Sequence, residues 1–149
     1  MHPNGSGLRS SASTLSSVAE DRDRISLGRA AYASQFGLPE EEAVELLETI
    51  VGERMAGEAL RAAGGSWVDD CLSLRDRSLV VVTALAAQGG VEERLRTHVR
   101  WALEHGVTPD ELDAALALLA VYVGYPRASV AMEVIREVLG RRPPQPTRE

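Results

Sequence analysis

SLRDRSLVVVTALAAQGGVEERLRTHVRWALEHGVTPDELDAALALLAVYVGYP, running from Ser73 to Pro126, decides the fold. Its punctuation is helical. Ser73 with Asp76 three residues later forms a capping pair, and Gly89-Gly90 closes the segment that pair opens. Between them LVVVTALAA is apolar on all sides. Its valines favour a strand, but the caps and a length of about 15 residues favour a fully buried central helix. From Glu92 to His105, Leu95, Val99, Ala102 and Leu103 recur at helical spacing and Gly106 ends the run. Thr108-Pro109-Asp110-Glu111 combines an N-cap threonine, a proline at the first helical position and a glutamate three residues after the cap. The helix it opens reaches about Val123, Gly124-Tyr125-Pro126 turns the chain, and Arg127 to Leu139 makes the last helix.

Upstream, Asp23 to Phe36 reads as a helix stopped near Gly37. Pro39 then stands at a first helical position ahead of Glu40, Glu41 and Glu42, whose charges suit a helix N-terminus. Val44, Leu47 and Val51 give that helix its apolar spacing, and Met55 to Ala63 makes another short one. Residues 1–20 are rich in serine and glycine and read as a flexible arm, while the prolines after residue 139 read as a tail. The pattern predicts an all-α protein of six or seven helices in a single domain over residues 21–139.

Composition limits the chemistry. All 16 basic side chains of the 149 residues are arginine, so a lysine Schiff base and a lysine-bearing phosphate loop are excluded. A net charge of −6 argues against non-specific nucleic-acid binding. One cysteine, Cys71, excludes an internal disulfide and a cysteine-only zinc site. No apolar run is long enough to span a membrane, and a cytoplasmic location is expected.

The segment from Glu92 to His105 carries the candidate chemistry. Arg94, His98, Trp101 and His105 are spaced by four, three and four residues and form one stripe beside the apolar face. A histidine at such an edge can titrate near neutrality and serve as a general acid or base. Arg94 could hold a carboxylate, and Trp101 offers a flat apolar wall. The same pattern also fits a packed structural histidine beside a solvated charged face. As a metal pair, His98 and His105 are two turns apart, where one-turn pairs are the common helical chelate. Tyr122 and Tyr125 could present hydroxyls to a pocket or pack at a helix junction.

Trp67 ten residues before Arg77-Ser78-Leu79, the histidine of LRTHVRWAL, the GVTPDEL helix start and the closing AVYVGYP together resemble the carboxymuconolactone decarboxylase family. The resemblance runs from Trp67 to about Val138. It implies the all-helical fold of the alkylhydroperoxidase D-like proteins and assembly as a homo-oligomer, trimer or hexamer. The peroxidase branch carries a Cys-x-x-Cys pair where this chain has Val91 and Arg94, so the resemblance implies a cofactor-free decarboxylase rather than a two-cysteine peroxidase. His98 matches the family's motif histidine and Arg77 the arginine of its R-S-L motif. Tyr122 and Tyr125 fall in or beside its Y-x-G-x-P turn.

The departures bear on the substrate. Where the family reads Glu-Leu-x-x-His this chain has Arg94-Leu95-Arg96-Thr97-His98, and Trp-x-Arg-Pro-Gly-Leu becomes Trp67-Val68-Asp69-Asp70-Cys71-Leu72. Asn-Asn-Gly becomes Glu104-His105-Gly106, and a usual glutamine is Leu118. The expectation is a lyase acting on a small carboxylated lactone or keto acid in specialised metabolism, without cofactor or metal. His98 and Arg94 are then catalytic, with Trp67, Arg77, Trp101, His105, Tyr122 and Tyr125 around the substrate. A same-site cyclase, isomerase or lactone hydrolase, and a catalytically silent oligomeric scaffold, are the alternatives.

Overall fold

The computed structural model describes the backbone of residues 8–141 and the side chains of residues 17–141. Within them lie seven helices and no strand: α1 (Leu8–Phe36), α2 (Glu40–Val51), α3 (Glu53–Ser66), α4 (Leu74–Gln88), α5 (Glu92–Glu104), α6 (Pro109–Val123) and α7 (Tyr125–Val138). None is long and apolar enough to cross a membrane. The expected all-α class holds. The chain divides into two compact units between Asp70 and Cys71, where the sequence suggested one domain.

The first unit holds α1, α2 and α3. Helix α1 starts at Leu8, not near Asp23, so residues 8–20 are helix rather than an arm. No proline interrupts residues 8–36, and weak apolar patterning in the sequence does not forbid a helix. The remaining arm residues 1–7 and tail residues 142–149 lie outside the described residues. Two glycines set how closely α1 crosses α3. A Cβ on Gly28 would fall 1.9 Å from the Leu60 carbonyl oxygen, and one on Gly64 would fall 1.7 Å from that of Arg24. The backbones therefore touch where side chains are missing. Val44, Leu47, Ala56 and Leu60 form the core, with Ile25, Tyr32 and Phe36 packed against it. Arg61 Nε–H of α3 is shared between the two Asp21 carboxylate oxygens of α1 at 3.0 and 3.1 Å.

The second unit holds α4 to α7. Both predicted caps form: Ser73 Oγ accepts the Asp76 N–H at 3.1 Å, and Thr108 with Glu111 closes a reciprocal capping box. Val82, Ala86, Leu95, Val99, Ala102, Leu112, Leu116 and Ile135 make the core. Helix α4 corrects one expectation. It buries only the stripe of Ser78, Val82 and Ala86 and leaves Val80 and Ala84 exposed, because α5, α6 and α7 cover one side of it. Helix α7 begins at Tyr125, two residues early, since Pro126 fits the first turn of a helix as well as a turn.

Candidate functional site

Helix α5 presents three different sides. Leu95, Val99 and Ala102 face the core. On one flank Arg96 reaches Glu137 of α7, with N–O distances of 2.9 and 3.2 Å. On the other flank His105 Nδ1 lies 2.7 Å from Ser78 Oγ of α4. The Arg94–His98–Trp101–His105 stripe therefore runs along the α4 side of α5.

Ser78 is only 2% exposed, and its hydroxyl also lies 3.0 Å from the Leu74 carbonyl, which can only accept. With the serine proton given to that carbonyl, His105 Nδ1–H donates to Ser78 Oγ. His105 thus ties the end of α5 to α4 through Nδ1. Nearby, Arg75 of α4 joins Glu111 of α6, so the starts of these two helices are linked. The Thr108 backbone N–H, first among the causes, holds the Glu111 carboxyl below the usual carboxylate range.

His98 is half-buried, and its ring meets that of Trp101 edge-on, with centroids 4.9 Å apart. Burial, and secondarily the charge of Arg94 one turn away, push its pKa from 6.5 down to about 4. The expectation that it titrates near neutrality is corrected: desolvation penalises the cation and no carboxylate offsets it. At pH 7 the ring is neutral, so it can accept a proton or donate one hydrogen bond. Arg94 is exposed and makes no ion pair with any described residue.

The other predicted site residues stand on other helices. Trp67 ends α3 in the first unit, half-buried. Arg77, half-buried on α4, has a buried Nε. Tyr122 and Tyr125 are 80% and 76% exposed. Tyr125 borders a groove of about 500 Å³ between α6 and α7, while a second hollow of about 350 Å³ lies where α4, α5 and α7 meet. His98 lines neither. Structure thus brings together His98, Trp101 and Arg94, and sets His105 beside Ser78. Ser78 went unnoticed in the sequence, although it stands inside the R-S-L motif. Among the described residues no group of three or more histidines, cysteines or carboxylates could hold a metal ion.

Seven helices among the described residues, with a histidine-bearing helix opened by one glycine pair and closed before a Gly-Val-Thr-Pro turn, define an all-α class. The sequence profile of the carboxymuconolactone decarboxylase family matches residues 54–137, more than half of the chain, and the chain belongs to that family. Among individual proteins, it is similar to the 4-carboxymuconolactone decarboxylase of Acinetobacter baylyi, with 38% identity over 77 residues. The match covers 52% of this chain and 57% of that relative, so the chain spans a little over half of the relative's length.

Proposed function

We propose that this protein is a cofactor-free lyase that decarboxylates a small carboxylated lactone or keto acid, with His98 as its proton-transfer group and Arg94 as the carboxylate's partner. One observation carries the reading. In a member of a decarboxylase family, the motif histidine is desolvated against Trp101 with a cation one turn away. Loss of CO₂ leaves an electron pair on the carbon framework as an enolate, and a proton must then reach carbon. With a pKa of about 4, His98 holds that proton in only ~1 molecule in 1,000 at pH 7. A bound substrate carboxylate changes this, because a negative charge between Arg94 and His98 favours the imidazolium. The acid is then armed by the substrate itself. The protein acts in the cytoplasm as a homo-oligomer; the exposed apolar row of Leu118, Val121, Tyr122 and Tyr125 supports an association surface.

The resting neutrality of His98 also favours a second reading, in which the imidazole is a base and the reaction is a cyclisation, isomerisation or lactone opening. Trapping released CO₂ from a panel of carboxylated lactones and keto acids, in parallel with solvent-deuterium incorporation, separates the two. Stoichiometric CO₂ with loss of at least 100-fold in kcat on His98→Gln is the expected result. Deuterium exchange without CO₂ selects the second reading. Near-normal turnover of His98→Gln overturns both and leaves the silent scaffold.

A further inference from the structure

At the end of the second unit, where α4 stops and α5 and α7 begin, lies the hollow of about 350 Å³. Its walls are apolar, built by Leu85 and Ala86 of α4, Val91 and Leu95 of α5, and Val130 and Ala131 of α7. Two charged side chains reach it, Glu92 and Arg127. Glu92 is engaged on its own side. It accepts the Gly90 N–H at 3.2 Å and stands at the first position of α5, where the helix N-terminus favours a carboxylate.

Arg127 is held differently. It donates one N–H to the carbonyl of Gln88, left without an intrahelical partner at the end of α4. A Cβ on Gly89 would fall 1.8 Å from Nη1, so the guanidinium lies across the bare Cα of that glycine. Gly89 is already required there by its φ of +62°. Arg127 pairs with no carboxylate among the described residues, Glu92 included. A capping role uses one donor of the five that a guanidinium carries. It explains neither the remaining donors nor the apolar hollow beneath them.

We propose that this hollow binds a small monocarboxylate with an apolar body, the carboxylate taken by Arg127 and the body by the aliphatic walls. Its volume falls at the low end of ligand pockets, ~300–1,000 Å³, which suits a benzoate-sized molecule and excludes a nucleotide. Glu92, held on the Gly90 N–H beside the glycine that Arg127 crosses, disfavours a second negative charge, so a dicarboxylate binds less well. Because His98 does not line the hollow, the site exists whether or not His98 performs chemistry.

The test is titration of the full chain with benzoate and with its uncharged isostere benzamide, followed by amide NMR. Benzoate is expected to bind saturably at millimolar concentration and to shift the amides of Gly89, Gly90 and Val91. Benzamide should bind at least tenfold more weakly, a comparison that needs no variant. Arg127→Gln should weaken benzoate at least tenfold, Arg127→Lys should retain part of the affinity, and His98→Gln should leave it unchanged. Equal affinity for benzoate and benzamide, unchanged benzoate binding by Arg127→Gln, or shifts confined to the His98 flank would each overturn the proposal. Loss of turnover in His98→Gln with benzoate binding intact bears on the proposed reaction alone.

Discussion

Arg94→Glu restores the charge that the family places one turn before its histidine, and its effect on His98 can be worked out from the structure. His98 sits at a pKa of about 4 because burial is the larger cause and Arg94 the smaller. Like charges one helical turn apart interact by ~0.2–0.5 kcal/mol on an exposed face, and somewhat more beside a half-buried ring. Reversing the sign removes one unfavourable interaction and adds a favourable one, so the total is ~0.5–1.5 kcal/mol, or about half to one pH unit. His98 in Arg94→Glu should therefore titrate near ~5 and stay below the free value of about 6.5, since burial is untouched. Imidazole nitrogen shifts followed from pH 3 to pH 8 would read this directly, with His98→Gln assigning the signal against His2 and His105. Arg100→Glu, exposed on the far side of α5, should barely move it. A wild-type His98 titrating at the free value, or a pKa that stays put or falls in Arg94→Glu, would refute the assignment of desolvation and Arg94 as the two causes.

The lowered pKa also fixes the sign of acid stability. Above pH 6.5 His98 is neutral in both states, but between 6.5 and about 4 only the unfolded chain binds its proton, so stability falls by ~1–2 kcal/mol after allowance for the ring's partial exposure. Denaturant melts across that window should show the fall, and His98→Gln should flatten it. Gly64→Ala should destabilise the first unit by at least ~2 kcal/mol, because its Cβ meets backbone at 1.7 Å. Gly65→Ala, with nothing within 4 Å, should stabilise by ~0.5–1 kcal/mol, and chemical denaturation would compare the pair. Thr108→Ala should cost the second unit ~1 kcal/mol by removing the α6 cap, whereas Thr108→Ser should cost little.

How much of this was legible in the sequence depended on whether a feature is local. Ser73, Thr108, Pro109 and the glycine pair at 89–90 act within four residues, and every helix boundary resting on them was found where the sequence placed it. Val80 was misjudged because burial is decided by which helices cover α4, and a run of valines says nothing about its neighbours. The start of α1 was missed for the opposite reason. Its serine-rich sequence carries few large apolar residues, so the periodicity by which helices are recognised is faint. At the site, the stripe on α5 was readable because three- and four-residue spacing is geometry. The shift in His98 was not, since desolvation is a property of the folded surroundings. Ser78 could have been read only by knowing that α4 and α5 run side by side, which also makes His105 a tie between them.

The arginines show where coding habit ends and structure begins. A lysine-free chain needs no functional reason, and Arg61, Arg75, Arg96 and Arg136 serve as ordinary partners for Asp21, Glu111, Glu137 and Asp113. Arg127 is different because a lysine could replace it only in part. Capping Gln88 while presenting further N–H groups to the hollow requires a planar, branched cation, and an ammonium offers one point charge on a flexible stem. Arg94 needs only its charge to hold down the His98 pKa, so lysine would serve as well there. Arg94→Lys should accordingly leave the His98 titration in place while Arg127→Lys loses part of the benzoate affinity. If Arg127→Lys kept the full benzoate affinity, guanidinium geometry would have no part in either site, and the hollow would hold its carboxylate by point charge and apolar contact.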